Sequence, residues 1–280
     1  MSSLTWRKLK SSGMTFLMAA FTLLVLVPLV MIFFHIVKMG FSSINLDFFT
    51  QIPKPPGEVG GGMANGMLGS GVLIFTSSLL GIPVGIFGAI YLTEYGGGKL
   101  ANIIRFCADV LSGIPSIITG MVAYTLLVVP MKGFSALAGS FALALIMIPI
   151  VLRTTEEQLK LVPTSLREAS LALGIPMWQT TLKVTLRSAL AGVMTGILLS
   201  IARVAGETAP LLFTALGNQF WSRKLTEPIA ALPLQIFNFA ISPYDDWHRL
   251  AWAGALVLVS IMFGLSLSAR FFGRTRGRGN

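Results

Sequence analysis

The sequence predicts an all-α, polytopic membrane protein with six transmembrane helices. Composition is the first reason: 54% of the 280 residues are hydrophobic and 11% are charged, with a mean hydropathy of +0.78. A soluble domain carries about 25% charged residues. The second reason is length, since the apolar residues fall in blocks near the roughly 20 residues that cross a bilayer as helix. The third is the lack of period-2 alternation, which argues against a barrel.

The six blocks are Met14–Val37, Val72–Leu92, Ile103–Val129, Phe134–Leu152, Ala189–Leu216 and Leu250–Ala269. The first follows the basic stretch "WRKLK" and resembles a signal peptide. It is long, and no small-residue cleavage site follows, so it reads as an uncleaved anchor. Between the first two blocks, the Gly- and Pro-rich residues 42–71 read as an irregular external loop and a flexible entry to the second span. Gly81, Gly85 and Gly88 supply a face on which another helix can approach closely. Pro83, Pro115 and Pro149 mark kinks or breaks. The third block carries Arg105 and Asp109 near its start, an i,i+4 pair that reads as interfacial, as do Glu94 and Glu156.

The formal net charge is +10. In a soluble protein this would suggest nucleic acid, but in a membrane protein the placement of charge decides. With a cytoplasmic start, the outer loops hold only Lys38, Lys54, Lys132, Arg223, Lys224 and Arg249. Nearly all other Lys and Arg fall inside, so both termini are expected in the cytoplasm. This gives a cytoplasmic N-terminus at 1–13, a membrane domain at 14–269 and a basic tail at 270–280. The only cysteine, Cys107, permits no internal disulfide, and His35 and His248 suggest no metal site.

The cytoplasmic segment 153–188 is polar and patterned. "TSLREASLALGIPMWQTTLKVTL" reads as two short helices. Ser165 and Glu168 fit a capping box, Leu166, Ala169 and Leu173 share a face, and Gly174 and Pro176 separate the two. A DNA-binding helix pair is disfavoured because spans tether both ends closely. An interfacial amphipathic pair leaves the turn chemistry unexplained.

Arg203 and Glu207 interrupt the fifth block in "IARVAGETAPLLF". A charge there costs several kcal/mol and needs a partner or a water-lined path. On one continuous helix the two would share a face and pair. Such a pair either holds helices in register or serves an anion path, since a guanidinium grips two oxygens of an oxyanion.

"EASLALG" at 168–174, followed by "VTLR" at 184–187, resembles the EAA loop of ABC importer permeases, with Ser170 for the second Ala and Arg187 for the final Pro. "RTTE" at 153–156, "KLVPTSLREA" at 160–169 and "ARVAGETAPLLFTALGNQFW" at 202–221 are similar to the permease subunits of bacterial phosphate importers. The resemblance implies the type I permease fold and a place in a bacterial or archaeal cytoplasmic membrane. It implies docking of an ATP-binding subunit dimer at Glu168, Ala169, Ser170, Gly174 and Ile175. It also implies a second permease subunit, a periplasmic or lipid-anchored phosphate-binding protein, and a path lined by Arg203, Glu207 and Arg153. No G-x-x-x-x-G-K-[ST] occurs, so ATP is expected to be used by the partner subunit, with no cofactor, metal or nucleic acid bound by this chain and no covalent chemistry of its own. The rival readings are an ABC permease for another oxyanion and an ion-coupled secondary transporter, the latter disfavoured because no internal repeat is evident. A link to phosphate signalling also belongs to the resemblance, but no residue reveals such a contact.

Overall fold

The computed structural model describes residues 3–58, 60–222 and 224–275. Arg223 of the outer loops, and Arg276 and Arg278 of the basic tail, lie outside the described residues. In chain order the helices are α1 (Ser3–Phe41), α2 (Leu46–Thr50), α3 (Ala64–Tyr95), α4 (Lys99–Gly113), α5 (Ser116–Met131), α6 (Ala136–Lys160), α7 (Thr164–Ala172), α8 (Met177–Ala205), α9 (Ala209–Leu212), α10 (Leu232–Ala240) and α11 (Asp245–Thr275). Five of these, α1, α3, α6, α8 and α11, are each long and apolar enough to cross a membrane. α4 and α5 together supply a sixth candidate span, bent by 108°.

That bend is the break expected at Pro115, inside the block read as the third span. It falls at Ile114 and Pro115, whose extended backbone (ψ 133 and 137) interrupts the helix. Proline disfavours the helical region for the residue before it and supplies no amide for the next turn. α4 and α5 therefore both pack on α6 but run in different directions. At 1.5 Å per residue α5 is about 24 Å long, slightly under the roughly 30 Å of a hydrocarbon core. Pro83 and Pro149, by contrast, sit inside unbroken helices.

The core lies where α3, α6 and α8 meet, around Leu73, Leu143, Met147, Val151, Val193 and Ile197. The glycine face of α3 does what its spacing predicts. A Cβ at Gly81 would lie 3.3 Å from the Ala144 carbonyl, and one at Gly85 would lie 2.8 Å from Val151 Cβ. A Cβ at Gly88 would lie 3.0 Å from Leu152 Cδ1. Lipid tails are as apolar as Leu, so close backbone approach and dispersion drive this contact.

The segment before α3 is more ordered than its composition suggests. Asn45 caps α2 by accepting from the Phe48 amide at 2.8 Å. Phe48 and Met63 are fully buried with Leu232, Phe239 and Leu250, and α3 starts at Ala64, eight residues before the apolar block. The glycines here allow close approach: a Cβ at Gly62 would meet the carbonyls of Asp47, Phe48 and Gln51. Among the described residues α1 packs mainly along α11, through His35 on Trp252 (4.9 Å between ring centres) and Gly40 on Leu256.

Candidate functional site

Three groups of polar side chains stand out against this apolar frame. The first surrounds Arg203 and Glu207. α8 does not run to Leu216 as the sequence suggests, but stops at Ala205. Gly206 caps it, its amide reaching the Arg203 carbonyl at 3.2 Å, and Pro210 lies just beyond. Arg203 thus sits in the last helical turn, where its charge suits the carbonyl end of the dipole. Glu207 lies on the connection to α9, so the expected helical pairing of the two is not made. Neither forms an ion pair with any of the described residues.

Instead both line one cavity of about 180 Å³. Its walls come from the α4–α5 break (Ser112, Ile114, Pro115, Ser116) and from Ile146, Pro149 and Ile150 of α6. These α6 positions lie within its apolar length, so the two charges occur at membrane depth. Behind the cavity, Gly120 of α5 packs on Pro210: a Cβ there would lie 2.6 Å from Pro210 Cα. The break that displaces α4 therefore also opens the space that the two charges face.

The second group is an ionic layer where α4 packs on the last turns of α6. The i,i+4 pairing expected of Arg105 and Asp109 is not formed. Arg105 Nε donates to Glu156 Oε1 at 3.0 Å and Nη2 to the Leu92 carbonyl at 3.2 Å. Asp109 accepts from Arg153. Lys160 Nζ reaches the same Glu156 oxygen at 2.7 Å, and Arg153 Nη1 lies 3.8 Å from Oε2. The Glu156 side chain is buried within the protein, with only 2% of it exposed. Arg153 is thereby separated from Arg203 and Glu207: it does not line their cavity.

The third group belongs to α7. Pro163, not Ser165, occupies its N-cap and no side chain caps it, so the capping box is absent. Its end is as expected: Gly174 has φ +77, and the Gly174 and Ile175 amides return to Leu171 and Ser170. The second short helix is the start of α8, which runs unbroken into the membrane through a π-helical turn at Thr180–Thr185. Likewise α6 continues to Lys160, so the segment between spans is shorter than 153–188. Leu166, Glu168, Ala169, Leu173 and Gly174 are exposed, and Ile175 is half-buried. Ser170 is buried against Thr180 and faces away from that surface.

A bundle of membrane-length helices around a charge-bearing cavity, with a short helix hung beyond its end, is the architecture of a membrane translocation subunit. The chain belongs to the family of binding-protein-dependent transport system inner membrane components, whose model matches residues 81–277. It is 49% identical to the phosphate transport system permease protein PstA of Yersinia pestis, over 95% of this chain and 90% of that protein. It is 44% identical to the protein of the same name from Haemophilus influenzae, over 95% of both chains. Among solved structures, its fold is similar to a chain of a bacterial alginate ABC transporter (TM-score 0.69, 12% identity, 98% of each chain). It is also similar to a chain of the MetNI methionine ABC transporter (TM-score 0.59, 21% identity, 75% of this chain and 92% of that one). The fold is therefore that of the type I importer permeases, in a multi-pass inner-membrane protein.

Proposed function

We propose that this chain is the permease subunit of an ATP-driven importer of inorganic phosphate, forming the translocation path with a second, similar permease subunit. The observation that carries the path is the placement of Arg203 and Glu207 on one cavity at membrane depth, unpaired with each other. A guanidinium there grips an oxyanion, and the nearby carboxylate repels that oxyanion and takes the guanidinium back, so that binding stays weak enough for release. The relatives named as phosphate transport system permeases support phosphate as the oxyanion. Arg153, held by Asp109 and Glu156, serves at the inner mouth of the path rather than beside Arg203.

The exposed face of α7, with Glu168, Ala169, Gly174 and Ile175, is the docking surface for an ATP-binding subunit dimer, and Ser170 supports it from behind. ATP is hydrolysed there and not by this chain, which binds no cofactor. Closure of the ATPase pair moves α7 and turns the path outward, toward a phosphate-binding protein on the outer face. Both termini are cytoplasmic, in keeping with the basic residues at either end.

Uptake of labelled phosphate by the reconstituted complex, with wild-type chain and with Arg203→Gln, tests the path. The variant is expected to assemble and to lose at least 90% of uptake. Wild-type uptake by an assembled variant would reduce Arg203 to a structural group.

A further inference from the structure

α7 is fixed to the membrane helices by side chains as well as by its flanking turns. Arg167 is the main anchor. Its Nε donates to Glu94 Oε1 at 3.0 Å, Nη1 to the Val162 carbonyl at 2.8 Å and Nη2 to the Leu159 carbonyl at 2.8 Å. Nη2 also lies 3.0 Å from the same Glu94 oxygen. The Glu94 side chain is 2% exposed and that of Arg167 17%. One guanidinium thus ties α7 to the end of α3 and to the end of α6.

A second tie lies three residues on, where Ser170 Oγ and Thr180 Oγ1 share a buried hydrogen bond of 2.8 Å. This joins α7 to the start of α8. Glu94 and Thr180 both fall in π-helical turns, Tyr91–Tyr95 and Thr180–Thr185. Such turns interrupt the regular helical ladder and recur at functional sites. α3, α6 and α8 are the helices whose contact forms the core, and α6 and α8 carry walls of the Arg203 cavity. A displacement of α7 therefore has a short, stiff route to that cavity.

We propose that the Arg167–Glu94 pair is the joint that transmits movement of α7 into α3 and α6, a positioning pair for transport; this rests on the docking role of α7 proposed above. A flexible Lys has one charged nitrogen and cannot hold the carboxylate and both carbonyls in a fixed fork. Breaking the joint lets α7 move with the ATPase while the path stays behind.

The test uses the whole complex in vesicles, with Cys107→Ser and with Ser112→Cys on the cavity wall as reporter. The rate at which a water-soluble maleimide labels that cysteine is measured with and without ATP and vanadate, and ATP hydrolysis is measured on the same sample. In Arg167→Gln and Glu94→Gln, hydrolysis is expected within twofold of wild type, while the nucleotide-dependent change in labelling falls at least fivefold. The double variant should be no worse than either single one, and Arg167→Lys should not restore the change. Labelling that tracks hydrolysis, whether both persist or both are lost with assembly, would overturn the joint. Phosphate uptake is scored separately: a wild-type complex whose labelling responds to ATP without phosphate uptake would refute the substrate while leaving the joint tested.

Discussion

Replacing Glu156 by glutamine keeps the shape of the side chain and removes the charge on which the ionic layer converges. Its Oε1 sits 3.0 Å from Arg105 Nε and 2.7 Å from Lys160 Nζ. Losing one partner of a fully buried pair costs about 3–5 kcal/mol, because the other is stranded. Here the stranded groups are only partly covered, with Arg105 31% and Lys160 56% exposed. Both can turn toward water, and ion pairs at that exposure contribute about 1 kcal/mol or less each. The amide still accepts one hydrogen bond, so the expected loss is about 2 kcal/mol, on the scale of the pair contributions combined. Arg105→Gln should cost less, about 1 kcal/mol, since Glu156 keeps Lys160. Equilibrium unfolding in mixed micelles titrated with SDS measures both. The reasoning fails if Arg105→Gln costs as much as Glu156→Gln, because the buried carboxylate would then not be the centre of the layer.

Gly85→Val should destabilise the α3–α6 contact by about 1–3 kcal/mol, the usual range for overpacking, because its Cβ falls 2.8 Å from a branched, buried neighbour; the same titration reads it. Gly174→Ala should cost about 1 kcal/mol from the left-handed backbone alone, since the position has open space around it, and co-purification with the ATPase subunit should weaken in proportion. In Glu207→Gln, phosphate should be retained more tightly by the complex and taken up more slowly, measured as equilibrium binding beside uptake; weaker binding would contradict the release role of that carboxylate.

The apolar blocks, the glycine face of α3 and the Gly174 stop were all legible in the sequence, because each rests on contacts within one helix or on a periodicity along it. What was not legible depended on distant segments. Arg105 and Asp109 stand four apart and invite pairing, but α6, 51 and 44 residues further on, offers buried Glu156 and part-exposed Arg153, and the packing of α4 on α6 decides between them. Arg203 and Glu207 are likewise four apart, but here the reason they do not pair is local and legible: Gly206 and Pro210 end the helix within an apolar run that continues through Leu216. In residues 42–71 the glycines suggest disorder, whereas Phe48 and the Asn45 cap carry the order that the structure shows. The Arg167 fork had no signature, since two of its three acceptors are backbone carbonyls and the third lies seventy-three residues away.

A chain that carries phosphate through a path driven by a partner's ATP hydrolysis must show uptake that depends on that ATP. Uptake of radiolabelled phosphate into vesicles holding the wild-type complex, with ATP supplied or withheld and with sulfate as competitor, tests it most directly. Uptake is expected to require ATP and to withstand a hundredfold excess of sulfate, an excess on the order of the discrimination that about 2.7 kcal/mol supplies. Uptake that proceeds without ATP, or that sulfate abolishes, would contradict it.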